Sequence, residues 1–99
     1  MESTIQFVHS ERNKTAEHIV TKKLDSLTNH FEWVIRASVI FKEEKNSHGK
    51  GKICEITMSC PGPRIFATSN ESTFEIAAAE TVKDIETQLN KRKSEIKTH

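Results

Sequence analysis

Only three glycines occur in this 99-residue chain, and none falls in a G-x-G-x-x-G or G-x-x-x-x-G-K pattern, so no phosphate-cradling loop is present. Cysteine is limited to Cys54 and Cys60. If both lie in one extended segment, six residues at ~3.3 Å each hold them about 20 Å apart. A disulfide needs Cα atoms within about 7 Å, so both read as ordinary thiols of a cytosolic protein. No apolar run approaches the ~20 residues that span a bilayer, and Met1-Glu2-Ser3-Thr4 has neither the basic start nor the apolar stretch of a signal peptide. A cytoplasmic protein without a membrane partner is expected. Aromatic residues make up 6%, with no stacking platform of the RRM type, and Trp33 follows a helical segment as a lid on the core. His9, His18, His30, His48 and His99 are scattered, without His-x-x-x-His or Cys-x-x-Cys spacing. No Ser, Cys or Thr sits in a nucleophile motif, and Glu43 and Glu44 would face opposite ways along a strand. The expectation is a protein that is not an enzyme and holds no metal or cofactor.

What is present is pattern. Hydrophobic residues make up 34%, enough for one small two-layer core. Thr4 to Val8 alternates as a strand with Ile5 and Phe7 on one face. A helix follows, capped by Asn13 or Thr15, with Ala16, Ile19, Val20, Lys23, Leu24, Leu27 and Phe31 at the spacing of one amphipathic stripe. Val34 to Lys42 predicts a second strand with Ala37, Val39 and Phe41 inward and Arg36, Ser38, Ile40 and Lys42 outward. Residues 46–51 read as a turn, and Lys52 to Ser59 as a third strand with Cys54, Ile56 and Met58 inward. Pro61-Gly62-Pro63 forces a tight turn before a fourth strand, Arg64 to Thr68. Residues 69–72 start a long helix through a capping box of Ser72 and Glu75, with Phe74, Ala78, Val82, Ile85 and Leu89 in a stripe that extends to Ile96. The fold class is α+β in the order β-α-β-β-β-α. Its four-stranded mixed sheet pairs the first two strands in parallel, and both helices pack on one face.

Charge is nearly balanced overall, with fifteen Lys and Arg against fourteen Asp and Glu, but it is sorted along the chain. Residues 71–86 hold Glu71, Glu75, Glu80, Asp84 and Glu86 against Lys83, whereas residues 90–99 hold Lys91, Arg92, Lys93 and Lys97 against Glu95. Carboxylates early and cations late favour the helix macrodipole, which is the plain structural reading. The functional reading is that the basic helix end, with Lys22 and Lys23 from the neighbouring helix, grips the phosphates of a polyanion.

Three fragments carry a family resemblance: residues 20–24 with Leu27 and Phe31, residues 39–45, and above all Gln88-Leu89-Asn90-Lys91-Arg92-Lys93. Over nearly its whole length the chain resembles short-form ribosome hibernation-promoting factors, the ribosome-associated translation inhibitor family. The resemblance implies a protein that binds the rRNA of the small ribosomal subunit between head and body. There it would cover mRNA and tRNA sites and silence ribosomes under stress or in stationary phase. It implies rRNA contacts at Lys23, Lys42, Lys45, Lys91, Lys93 and Lys97, to which Lys22 and Arg92 are local additions. The expected organisation is one ribosome-binding domain over residues 1–99, without the second domain by which long-form members pair ribosomes. A monomer that binds no DNA is expected, with weak homodimerisation as the alternative. Asp84 and Thr87 stand where the family usually carries a lysine and an arginine, and Glu75 and Ala79 where it carries a tyrosine and an aspartate. Fewer phosphate partners should flatten the salt dependence of binding. The competing reading is a non-catalytic protein-interaction module of the same fold with weakened RNA affinity, using Ile40 and Phe66 on the open sheet face or an edge strand.

Overall fold

The computed structural model describes residues 1–45 and 48–97. Six elements follow in the expected order: β1 (Glu2–Val8), α1 (Lys14–His30), β2 (Arg36–Glu43), β3 (Lys52–Ser59), β4 (Ile65–Glu71) and α2 (Phe74–Lys97). The sheet order is β1-β2-β3-β4, with β1 parallel to β2 and the other two pairs antiparallel. A helical crossover permits the parallel pair, and short connections impose the antiparallel ones.

Alternation separates the two sheet faces. Ala37, Val39 and Phe41 of β2 are buried with Cys54, Ile56 and Met58 of β3 and Ile65 and Ala67 of β4. From the helix layer, α1 contributes Ala16, Val20, Leu24 and Leu27, joined by Phe31 beyond its end, and α2 contributes Phe74, Ala77, Ala78, Val82, Ile85 and Leu89. At one end of this core Phe7 stacks on Phe41 at 4.7 Å, and Phe74 meets both rings edge-on. At the other end Trp33 packs edge-on against Phe31 at 5.7 Å as the expected lid. Thr81 is buried as well, and its hydroxyl lies 2.7 Å from the Ala77 carbonyl and 3.2 Å from that of Cys54. Both cysteines are free and buried. Burial pushes the Cys54 thiol up to about 12 despite its hydrogen bond with Thr81.

The helices run side by side in the same direction. Asn13 caps α1, its Oδ1 accepting from the Ala16 amide at 2.9 Å, and its Nδ2 donates to Glu75 at the start of α2. At the far end the Lys93 ammonium sits 5.8 Å above the Phe31 ring. The 24 residues of α2 make it about 36 Å long at ~1.5 Å per residue.

Several expected boundaries shift. β1 and β2 cover 2–8 and 36–43 rather than 4–8 and 34–42. Ser69, Asn70 and Glu71 do not open α2; they extend β4, paired with Cys54, Ile53 and Lys52. The Asn70 side chain also accepts from the Gly51 amide at 2.7 Å. Ladder bonds and this clamp outweigh the local preference of Ser and Asn for helix starts. The cap of α2 is Thr73, whose hydroxyl accepts from the Ile76 amide at 3.1 Å, not Ser72. Glu75 is thereby released to bind Asn13. The buried stripe of α2 stops at Leu89, since Ile96 is 44% exposed. Of the expected 46–51 turn, Asn46 and Ser47 lie outside the described residues. Gly49 and Gly51 take positive φ there, as the turn reading anticipates.

Candidate nucleic-acid interface

The expected cations do not form one surface. Lys22 and Lys23 lie exposed on α1, with no carboxylate partner among the described residues. Lys23 lines a groove of about 450 Å³ between the helices, together with Leu27, Glu80, Lys83 and Glu86. Lys91 is exposed on α2 and is likewise unpaired. Lys97 ends α2, and its side chain lies outside the described residues.

Lys42 projects from the outer sheet face, away from the helices, with its ammonium 3.0 Å from Glu55. The hydrogen bond and charge of that carboxylate raise its pKa. It is answered by an acid and separated by the sheet from the helix layer. Lys45 is exposed just beyond β2, at the end of the molecule where α2 begins. That places it about 25 Å, or 17 helical residues, from Lys91.

Arg92 is only 17% exposed. Its Nη1 donates to the Pro61 carbonyl at 2.8 Å and lies 3.5 Å from the Cys60 sulfur, with Glu95 at 4.0 Å from Nε. The guanidinium straps the Pro61-Gly62-Pro63 turn to α2. Gly62, at φ 91°, is where the strap passes: a Cβ there would lie 2.9 Å from Nη1. Lys93, half-buried over Phe31, has its charge partly engaged by the ring.

Two helix cations escaped the sequence reading. Lys14 is exposed and has no ion-pair partner among the described residues, and the 14, 18, 22 spacing aligns it with His18 and Lys22 on one α1 face. That four-residue period was the available signal. Lys83 makes no ion pair among the described residues, although Glu80 and Glu86 line the interhelical groove beside it and disguise it in the sequence. Among the described residues, five lysines without an ion-pair partner (14, 22, 23, 83 and 91) therefore line the helix layer.

The departures from the family pattern take local roles. Thr87 bonds back to the Lys83 carbonyl at 3.1 Å, Glu75 binds Asn13, and Ala79 lines the interhelical groove. Asp84 is exposed on α2. Among the described residues no group of three or more His, Cys, Asp or Glu converges as a metal site. No described helix is long and apolar enough to cross a membrane.

These features define a two-layer α+β domain with an open sheet face and a helix layer carrying lysines that make no ion pair among the described residues. The family described as sigma 54 modulation protein / S30EA ribosomal protein matches residues 3–97, and the chain belongs to this ribosome-associated family. Among solved structures, a ribosomal subunit interface protein from Coxiella burnetii is similar with a TM-score of 0.83 at 21% identity, covering 95% of this chain and 99% of that one. The N-terminal domain of Thermus thermophilus Protein Y is similar with a TM-score of 0.75 at 20% identity, covering 92% and 98%. At these identities the two structures speak for the fold. No curated protein matches the chain.

Proposed function

We propose that this chain binds the small ribosomal subunit through rRNA phosphates between head and body, and silences translation in the cytoplasm by occluding mRNA and tRNA sites, without catalysis. The observation that carries this reading is the set of five lysines on the helix layer that have no ion-pair partner among the described residues, in a chain belonging to a ribosome-associated family. An ammonium free of a carboxylate partner can release counterions from a phosphate on contact. Each such contact adds about 0.9 to the salt slope on a duplex, so up to five would give a slope of about 4 to 5. Lys42 and Arg92 do not enter the count, because Glu55 and the 61–63 turn already hold them.

The test is co-sedimentation with purified small subunits across a salt series. The wild type should pellet at low salt and dissociate steeply as salt rises. The variant Lys22→Glu/Lys23→Glu/Lys91→Glu should stay in the supernatant with unchanged far-UV CD. Wild-type protein that fails to pellet at low salt, or a triple variant that pellets normally, would overturn the reading. A triple substitution of Lys91, Arg92 and Lys93 is the poorer choice, since two of those side chains brace the fold.

A further inference from the structure

The outer face of the sheet is built differently from the helix layer. Ladder register lines up Thr4, Ser38, Thr57 and Phe66 across all four strands, with Glu2, Arg36 and Ser59 in the adjoining row. Arg64, immediately before β4, extends that second row, and the hydroxyls, two arginines and the Glu2 carboxylate line a depression of about 350 Å³. Arg36 is committed to Glu2, at 3.0 Å. Arg64 is exposed and without an acidic partner among the described residues.

Phe66 stands apart from the other aromatic side chains. Phe7, Phe31, Phe41, Phe74 and Trp33 pack against one another in or beside the core, whereas Phe66 is 50% exposed. Its backbone is fixed, because Gln88 donates to its carbonyl at 2.8 Å. The turn that delivers Arg64 is fixed by Arg92. The backbone that carries an exposed ring, a guanidinium two residues away and a row of hydroxyls is thus fixed before any ligand arrives.

We propose that this face takes one unpaired nucleotide of single-stranded RNA, with the base stacked on Phe66, the phosphate at Arg64, and the ribose hydroxyl over Thr57 and Ser38. Aromatic rings accept any base face, guanidinium matches phosphate in a bidentate manner, and hydroxyl groups both donate to and accept from a 2′-OH. A second copy of the chain fits less well. A stable dimer buries about 800 Å² per partner around an apolar centre, and here the ring shares its row with three hydroxyl residues. The proposal leans on the proposed function only in taking RNA as the polymer, and it concerns the opposite face of the molecule.

The experiment is an amide NMR titration of the full chain with 5′-phosphorylated tetraadenylate, repeated on Phe66→Tyr, Phe66→Leu and Arg64→Gln. Amides of Ser38, Thr57, Arg64 and Phe66 should shift together. Phe66→Tyr should bind as wild type, and Phe66→Leu should weaken binding by at least about fivefold, the effect of losing a stacked base. Arg64→Gln should weaken binding and lower the salt slope by about one. Shifts confined to α1 and α2, no shifts at all, or a Phe66→Leu variant with wild-type affinity would overturn the proposal. Self-association that Phe66→Leu abolishes would also overturn it, assigning the face to a second copy. Subunit co-sedimentation of the same variants separates the two readings. Phe66→Leu pelleting as wild type while the lysine triple variant does not would sink only the sheet-face site.

Discussion

Replacing Arg92 with lysine distinguishes a fold strap from a phosphate ligand. Lysine keeps the charge, so a phosphate contact that needs only a cation would survive. What lysine cannot keep is a planar guanidinium that reaches the Pro61 carbonyl at 2.8 Å while lying beside the Cys60 sulfur at 3.5 Å. A hydrogen bond from a charged donor contributes about 1.5–3 kcal/mol when its surroundings are dry. Pro61 is exposed, so water can recover part of the loss, and the expected cost is about 1–2 kcal/mol. In a domain of this size each kcal/mol shifts Tm by roughly 4–8 °C, which makes a drop of about 5–15 °C readable by far-UV CD. Urea unfolding supplies the free energy, and subunit co-sedimentation supplies the affinity of the folded fraction. Arg92→Lys and Arg92→Gln should both lose stability, and both should bind with near-normal affinity where they remain folded. The reasoning fails if both unfold within about 0.5 kcal/mol of wild type and Arg92→Gln lowers the salt slope by about one, the behaviour of a phosphate contact.

Two further outcomes follow from the same packing. Gly62→Ala should cost about 1–2 kcal/mol, because its φ of 91° strains any L side chain and the new Cβ displaces the strap; in an Arg92→Gln background the cost should shrink, so additivity in this double-mutant cycle would contradict the contact. Cys54 governs part of the alkaline limb of stability. Its thiol is raised from an ordinary 9.0 to about 12 by burial, so below pH 9 both folded and unfolded chains hold the proton and the contribution is flat. Between pH 9 and 12 the unfolded chain loses a proton that the fold retains, and stability falls as pH rises, by up to about 1.4 kcal/mol per pH unit. Lys42, raised by Glu55, works in the same direction only above about 10.5. Urea titrations from pH 8 to 10 should therefore show a decline that Cys54→Ala flattens; an equal decline in the variant would refute the burial argument.

The fold was largely legible because period carried it. The spacing of Ala16, Val20, Leu24 and Leu27 and the alternation through 36–43 and 52–59 each specify an element and its buried face without tertiary help. Element ends were less legible where a remote partner decides them. Ser69-Asn70-Glu71 looks like a helix start until the ladder with Cys54, Ile53 and Lys52 and the Gly51 clamp are seen. The site suffered the same way. Exposure and charge are local properties, so Lys22, Lys23 and Lys91 could be found on helix faces. Whether a cation is already engaged depends on residues far along the chain: Glu55 for Lys42, Pro61 for Arg92, Phe31 for Lys93.

The six residues that carried the resemblance most sharply, Gln88 to Lys93, divide by helical period into support and surface. Gln88 occupies the exposed carbonyl of Phe66, so an amide side chain covers part of the β4 edge. Leu89 is fully buried, Arg92 holds the proline turn, and Lys93 spans the helix ends over Phe31. Asn90 and Lys91 alone present unengaged side chains to solvent. A motif that reads as a basic ligand-gripping patch is therefore mainly an assembly device, joining α2 to the sheet edge, to the turn and to α1. On the proposed reading, affinity for a polyanion comes from exposed lysines spread over both helices rather than from one basic run. Only four of the fourteen acids pair with Lys42, Arg36, Lys52 and Arg12, and Glu80 and Glu86 share the interhelical groove with Lys23 and Lys83. The proposed grip on a polyanion therefore rests on where single charges project and not on a surplus of cations.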